Sequence, residues 1–333
     1  MNDVAALAGV GMKTVSRVVN GERYVSAAMA ERVDKAAREL GYEINQVAGN
    51  LRRSDQRTAT IGAIMAQIAN PFSAEILAGI EHILSDHGYA VFSASLNDDP
   101  DREYNLYREF LRRRVDGMII TPIASDQTYL TPELERNLPV VFVDRIPHGV
   151  SADAVVGDNL GGAARATRHL IAAGHRRIAF LGDRETLWTA QQRHRGYREE
   201  LERAGISYDE RYVVHDVRSP EQGRAQVTRL LAQPEPPTAL FAAQNLITIG
   251  ALHALRDSRL TDRVAVVSFD DMPLADLLSP GLTVVTQHPF EIGVRAGERL
   301  LARLQGDRGD AQTVTVATPL ISRGSGEIPN PWR

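Results

Sequence analysis

"GVGMKTVSRVVNG", residues 9–21, places two glycines, a lysine and a threonine ahead of an apolar-periodic run. Two readings compete. A phosphate-cradling loop needs G-x-x-x-x-G-K-[ST] behind a buried strand. Here Met12 separates Gly11 from Lys13, and the preceding "NDVAALAG" is helix-forming, with no strand in it. The phosphate loop therefore fails on both requirements. A helical reading fits: Val4, Ala5, Leu7 and Ala8 form one short apolar face that stops at Gly9. A second helix covers about Met12–Asn20, with Val15, Val18 and Val19 inward and Gly21 after it. Two short helices joined by a glycine-containing turn make a helix-turn-helix. A third helix is expected from about Ser26, with Met29, Val33, Ala36, Ala37 and Leu40 on one face, closing at Gly41.

Met12, Lys13, Ser16 and Arg17 fall on the side of the second helix away from the valines. That is the side a recognition helix places in the major groove. Arg17 can pair bidentately with guanine, and Lys13 can reach a base or a phosphate. Taken singly, each could merely solvate an exposed face; the three-helix pattern around them favours DNA reading.

Working outward, 333 residues are more than one core usually holds, so two or three domains are expected. Composition is that of a globular chain, 43% hydrophobic and 24% charged. No apolar run reaches membrane-span length, and the start lacks a basic-then-apolar leader, so a cytoplasmic protein is expected. Cysteine is absent, which removes thiol nucleophiles, disulfides and thiolate metal sites. Residues 1–57 carry nine Lys/Arg against seven Asp/Glu, in a chain whose formal net charge is −4. A slightly basic head on an acidic body suits a nucleic-acid module attached to something else.

"DVAALAGVGMKTVSRVVNG", followed by "VSAAMAERVDKAARELGYEINQVAGNLR", resembles the lactose-repressor (LacI/GalR) family of bacterial regulators. The resemblance spans essentially the full chain. It implies that Met12, Lys13 and Arg17 occupy base-reading positions, with Thr14, Ser16 and Asn20 near phosphates. Two departures stand out. Family members usually carry a capping Thr or Ser a few residues ahead of "DVA", whereas here Asn2 or Asp3 is expected to cap. Gly11 stands where Ser or Thr is usual, a weaker cap for the recognition helix.

"NQVAGNLRRSDQRTATIG", 45–62, is polar and Arg-rich, too poor in apolar residues to fold alone and able to order on binding. It resembles the family's hinge helix, which forms on DNA. There a leucine from each of two chains wedges a base step open from the minor groove. Leu51 matches that leucine, with Ala48 and Asn45 beside it; Leu51 could instead only tether the linker. Gly49 weakens helix formation.

From residue 60, apolar strands alternate with amphipathic helices: "TIGAIMA", "YAVFSAS", "GMIITP", "PVVFVD", "AVVGD", "RIAFLGD", "TALFAA", "VAVVSFD" and "LTVVTQ". The pattern means parallel sheets covered on both faces, in two α/β lobes. The resemblance implies a periplasmic-binding-protein-like effector domain whose chain crosses between lobes near 157, 287 and 317. The expected organisation is a helix-turn-helix DNA-binding domain over 1–44 and a hinge over 45–58. One lobe then takes 59–156 and 288–317, the other 157–287 and 318–330.

Ligands of such sheets bind beyond the carboxyl ends of the strands. Those ends carry Asn70–Pro71–Phe72–Ser73, Asp98–Asp99, Asp144–Arg145, Asp183, Gln244–Asn245 and Asp270–Asp271. Carboxylates, amides and an aromatic platform at Phe72 suit a polyol. The resemblance assigns effector contact to Arg193 and Asp270, with Gln244 and Thr189 in the same pocket. Val217 stands where some members stack an aromatic, which favours a sugar over a flat purine. Asp144 joins the candidate set, although Asp144 and Asp158 could equally cap helices or hold loops.

A glycosidase would also use paired carboxylates. Yet no Ser-His-Asp string, metal-spaced histidines or G-x-G-x-x-G fingerprint appears, and the nine histidines are scattered. No catalytic residue, metal site or cofactor is expected. The resulting expectation is a homodimeric repressor of a carbohydrate operon. It would read a pseudo-palindromic operator and be released by a sugar or sugar derivative. The tail "GEIPNPWR" offers no coiled coil for a tetramer. A corepressed, purine-type regulator differs only in the sign of coupling, and a sugar-binding receptor would share only the body.

Overall fold

A computed structural model describes residues 1–19, 25–42, 57–97 and 99–330. The chain divides into two compact units, Met1–Ala59 and Thr60–Arg333.

The head holds α1 (Asn2–Ala8), α2 (Met12–Val19) and α3 (Ala27–Glu39). Its small core is Val4, Ala5, Ala8, Val15, Val33 and Ala36, with Val10, Val18, Ala37 and Tyr42 partly buried around it. Gly9 ends α1 at φ 59, in the left-handed region where a side chain is strained. A Cβ there would also sit 2.8 Å from the Arg32 guanidinium. That guanidinium reaches back from α3 to donate to the carbonyls of Ala8 and Gly9, satisfying the open end of α1.

Three expectations for the head need correction. Met1 occupies the N-cap of α1 with no side-chain cap bond, so neither Asn2 nor Asp3 caps; both lie inside the first turn. Leu7 is exposed, because a core this small is filled by the Val4–Ala5–Ala8 face. Met29 and Leu40, expected beside Val33, are exposed as well; the core of the head takes Val33 and Ala36 from α3. The side chain of Val19 lies outside the described set.

The body is two six-stranded sheets. The first has the order β11-β5-β4-β3-β1-β2, and all its pairs are parallel. These strands are β1 (Thr60–Met65), β2 (Ala90–Ser95), β3 (Gly117–Ile120), β4 (Val140–Val143), β5 (Asp153–Gly157) and β11 (Thr313–Val316). The second has the order β12-β10-β9-β8-β6-β7. Its strands are β6 (Ile178–Leu181), β7 (Val213–Val214), β8 (Ala239–Ala242), β9 (Ala265–Phe269), β10 (Thr283–Val285) and β12 (Leu320–Ile321). Here the edge strand β12 runs antiparallel to β10, an exception to the parallel expectation. All nine strands read from the sequence are present. Those missed, β7, β11 and β12, are edge strands, which lack the continuous apolar run of a strand buried on both faces.

β5 belongs to the first sheet, and the helix Asn159–Ala172 that follows it packs on the second. The chain returns after β10, where the helix Pro289–Leu304 packs on β3, β4 and β5. It leaves again between β11 and β12. Leu187 and Ala190, at the start of the helix Trp188–Arg203, join the apolar cluster of the first lobe, so the two lobes touch.

The helices Pro71–Asp86 and Pro289–Leu304 cross at Gly79 and Gly293. A Cβ on Gly79 would fall 2.2 Å from the Phe290 carbonyl oxygen, which is backbone and cannot step aside. Gly79→Ala should therefore cost about 1–3 kcal/mol by overpacking. Urea unfolding reads this directly, and an unchanged midpoint would refute so close a crossing.

Candidate functional site

Two sites are built by these elements. In the head, Val15 and Val18 turn into the core and fix the roll of α2. Met12, Lys13 and Arg17 are left exposed, with Thr14 and Ser16 half-buried at the flanks. Lys13 and Arg17 stand four residues apart and so share a face. A helix about 10–12 Å across fits a major groove about 12 Å wide. Asn20, Asn45, Ala48 and Leu51 lie outside the described residues.

In the body, the carboxyl ends of both sheets line a narrow cleft. Asn70, Phe72 and Ser73 enter it after β1, Asp144 and Arg145 after β4, Asp183 after β6, Gln244 after β8, Asp270 after β9 and Gln287 after β10. Thr189 and Arg193 come from the helix Trp188–Arg203. Every effector-site candidate named from the sequence, namely Phe72, Asp144, Thr189, Arg193, Gln244 and Asp270, thus lines one cleft.

Asp144 and Asp270 occupy matching places in the two lobes. Each follows a strand directly, in left-handed conformation at φ 68 and 76. Each donates its backbone N–H to the neighbouring strand, Asp144 to Val155 and Asp270 to Val285. Aspartate tolerates this conformation better than most residues, and such strain clusters at binding sites. Arg193 is buried and lines the same cleft as the two carboxylates. Its Nε donates to Asn159 Oδ1 at 2.7 Å, and its Nη1 to the Ala243 carbonyl at 2.7 Å. Its guanidinium lies 3.9 Å from the Phe269 ring centre. Burial draws the Arg193 pKa down, while Asp270, Asp144 and Asp183 push it back up. Burial also drives the Asp144 carboxyl above its ordinary range, against the opposing pull of Arg145 and Arg193.

Tertiary structure adds Gln287 and Asn159, which no motif announced, and pairs Asn70 with Asn245, both read at strand ends. Gln287 donates to Asp270 Oδ1 at 2.5 Å, anchoring the crossing strand to the cleft. Asn159 holds Arg193 in place. Asn70 of one lobe and Asn245 of the other exchange two amide hydrogen bonds, of 3.2 and 2.8 Å, across the gap. Other strand-end carboxylates serve the fold. Asp158 caps the helix Asn159–Ala172 and pairs with Arg165. Asp271 takes both Arg323 nitrogens at 2.7 Å. Asp99 turns its own loop onto Asp101 N–H, and Asp98 lies outside the described residues. Val217 is packed in the second lobe's core and does not line the cleft. Among the described residues, no group of three or more His, Asp or Glu is placed to hold a metal. No described helix is long and apolar enough to cross a membrane.

Residues 1–45 match the family model described as bacterial regulatory proteins, lacI family, and residues 167–326 match a periplasmic binding protein-like domain. Those two halves on one chain define a ligand-responsive DNA-binding transcription regulator. The chain belongs to the lacI family. It is 31% identical to the ribose operon repressor of Haemophilus influenzae, over 98% of each chain. It is 34% identical to a solved CelR–cellobiose complex, covering 97% of this chain and 98% of that one, with a TM-score of 0.73. A lac repressor dimer bound to operator and the anti-inducer ONPF superposes with a TM-score of 0.86, at 27% identity over 97% of this chain and 98% of that one.

Proposed function

We propose that this protein is a homodimeric repressor that reads a pseudo-palindromic operator in the cytoplasm through α2 and lets go when a sugar or sugar derivative fills the interlobe cleft. It acts by binding, with no chemical turnover. The observation that carries this reading is the convergence of Arg193, Asp144 and Asp270, with polar residues of both lobes, on one cleft. A polyol bound there touches residues of each lobe at once, so its binding energy differs between lobe arrangements. Linkage then requires that operator and ligand weaken each other by the same factor.

Met12, Lys13 and Arg17 are assigned to base edges, and Thr14, Ser16 and Asn20 to phosphates. Asn45, Ala48 and Leu51 are assigned to a hinge helix in the minor groove. Phe72, Asp144, Thr189, Arg193, Gln244 and Asp270 are assigned to the ligand. Self-association is supported by apolar residues that the body leaves uncovered. Phe92 is exposed on the edge strand β2, and Leu274, Leu277 and Leu278 are exposed beyond β9.

The test is fluorescence anisotropy of an operator duplex selected by the protein itself, with and without sugar. Sugar should release the duplex. Arg17→Ala should lose about 1–3 kcal/mol of discrimination per contacted guanine while weak nonspecific binding persists. Unchanged sequence preference in that variant would refute the recognition-helix assignment. Tighter DNA binding with ligand would reverse the sign of regulation to corepression.

A further inference from the structure

The cleft's hydrogen-bonding inventory is lopsided. Two buried acceptors that line it, Asp144 Oδ1 and Gln244 Oε1, have no hydrogen-bond partner in the protein. Leaving buried polar atoms unmade is costly, so such atoms mark where a ligand's donors belong. Of the other orphaned atoms lining it, Gln287 Oε1 lies against Gly157, where a Cβ would come within 2.5 Å, and Arg145 Nε is a single donor beside these three acceptors.

The cleft's cations are two arginines, each partly committed. Arg193 spends its Nε and Nη1 on Asn159 and Ala243. Arg145 donates its Nη1 to the Pro122 carbonyl at 3.2 Å, and its Nε lies 3.3 Å from Asp144 Oδ2. The three lining carboxylates, Asp144, Asp183 and Asp270, outnumber these two arginines.

The surroundings are negative too. The cleft shares Phe72, Asp270 and Gln287 with an adjoining hollow. That hollow is lined by Glu75, Asp270, Asp271 and Glu291, of which Asp271 pairs with Arg323 and Glu291 with Arg295. Burial, then the charge of Asp271, raises the pKa of Glu75, as a negative local potential should.

We infer that the cleft selects an electrically neutral, hydroxyl-rich ligand and rejects the phosphorylated or carboxylate form of the same sugar. This rests on the reading of the cleft as the effector site. Hydroxyls can donate to Asp144 Oδ1 and Gln244 Oε1. A phosphate or a carboxylate offers only acceptors at neutral pH, and it would face three carboxylates against two arginines.

The experiment is a calorimetric and thermal-shift comparison of matched sets on the full-length protein. Each set holds a neutral sugar, its sugar phosphate and its sugar acid: ribose with ribose 5-phosphate and ribonate, glucose with glucose 6-phosphate and gluconate. The neutral member of a binding set should bind about a hundredfold or more tightly than its anionic partners. Equal or tighter binding of an anionic member overturns the inference and leaves the effector reading standing. If no member of a broadened neutral and anionic panel binds at millimolar concentration, the effector reading itself fails, and this inference with it.

Asp144→Asn supplies a second readout. Asparagine also tolerates the left-handed backbone at this position, and the change removes one carboxylate and releases Arg145. The neutral-to-anionic preference should fall at least about tenfold. A preference that stays constant would show that Asp144 is not its source.

Discussion

Arg193→Ala should abolish release of DNA by ligand and destabilise the body by about 3–5 kcal/mol. Both effects have one cause. The guanidinium is buried, holds Asn159 and the Ala243 carbonyl, lies against Phe269, and adds a positive charge to the cleft that Asp144 and Asp270 line. Truncation leaves two buried carboxylates in each other's field and leaves the cleft without its central donor. The repressor would still hold operator, because α2 belongs to a separate compact unit. Arg193→Lys keeps the charge but not the fork that serves Asn159 and Ala243 together, so stability should recover more than response does. Urea unfolding paired with operator titration separates the two readouts. A variant that unfolds at the wild-type midpoint and still releases DNA would refute the central role given to this residue.

Asp153→Asn should weaken the first lobe by a comparable amount, about 3–5 kcal/mol, far from either binding site. Asp153 begins β5 and is buried. It accepts from Arg303 Nε at 2.7 Å and from Gln312 N–H at 2.8 Å, with Arg299 Nε 3.0 Å away. One carboxylate thereby ties the helix Pro289–Leu304 and the approach to β11 onto β5. Removing its charge takes the shared carboxylate from two mostly buried arginines, leaving Arg299 with Asp307 and Arg303 with loop carbonyls. Surface pairs such as Arg113–Glu109 are worth a small fraction of this.

The pH dependence has a definite sign. Burial alone would raise the Asp153 pKa, but its bonds to Arg303, Gln312 and Arg299 outweigh burial and hold it below the ordinary 3.8. A depressed carboxylate stabilises the folded state fully above its unfolded pKa, and that stabilisation fades as pH falls through the folded value. The stability gap between wild type and Asp153→Asn should therefore be widest near neutrality and close below about pH 3.8. Denaturant melts across that range test this, and a gap independent of pH would assign the lost stability to packing.

Much of this was legible in the chain because it is local. A stop at Gly9, valines at helical spacing and a basic outward face define the head within twenty residues. Strands such as "VAVVSFD" announce themselves because a parallel strand covered on both faces is apolar throughout. The rule that ligands sit beyond strand ends put Phe72, Asp144, Gln244 and Asp270 among a larger set of cleft candidates, and the family resemblance chose Gln244 and Asp270 from it. Where sequence reading went astray, the deciding quantity was not local. Leu7, Met29 and Leu40 carry the right spacing yet stay exposed, because burial depends on how much partner surface exists, and the head has little.

The cleft's inner logic came only from tertiary structure. Asn70 meets Asn245 across 175 positions of chain, Asn159 fixes Arg193 across 34, and Gln287 seizes Asp270 across 17. Asparagine and glutamine carry no periodic signal, so nothing in their spacing foretells such pairs. Which carboxylates serve the fold, such as Asp158 and Asp271, and which keep an unmet oxygen in the cleft, such as Asp144, depends on where neighbouring arginines land. Composition and periodicity determined the architecture because hydrophobic burial reads pattern. The selectivity of the site belongs to the fold, because hydrogen bonds and charge pairing depend on distances that only folding creates.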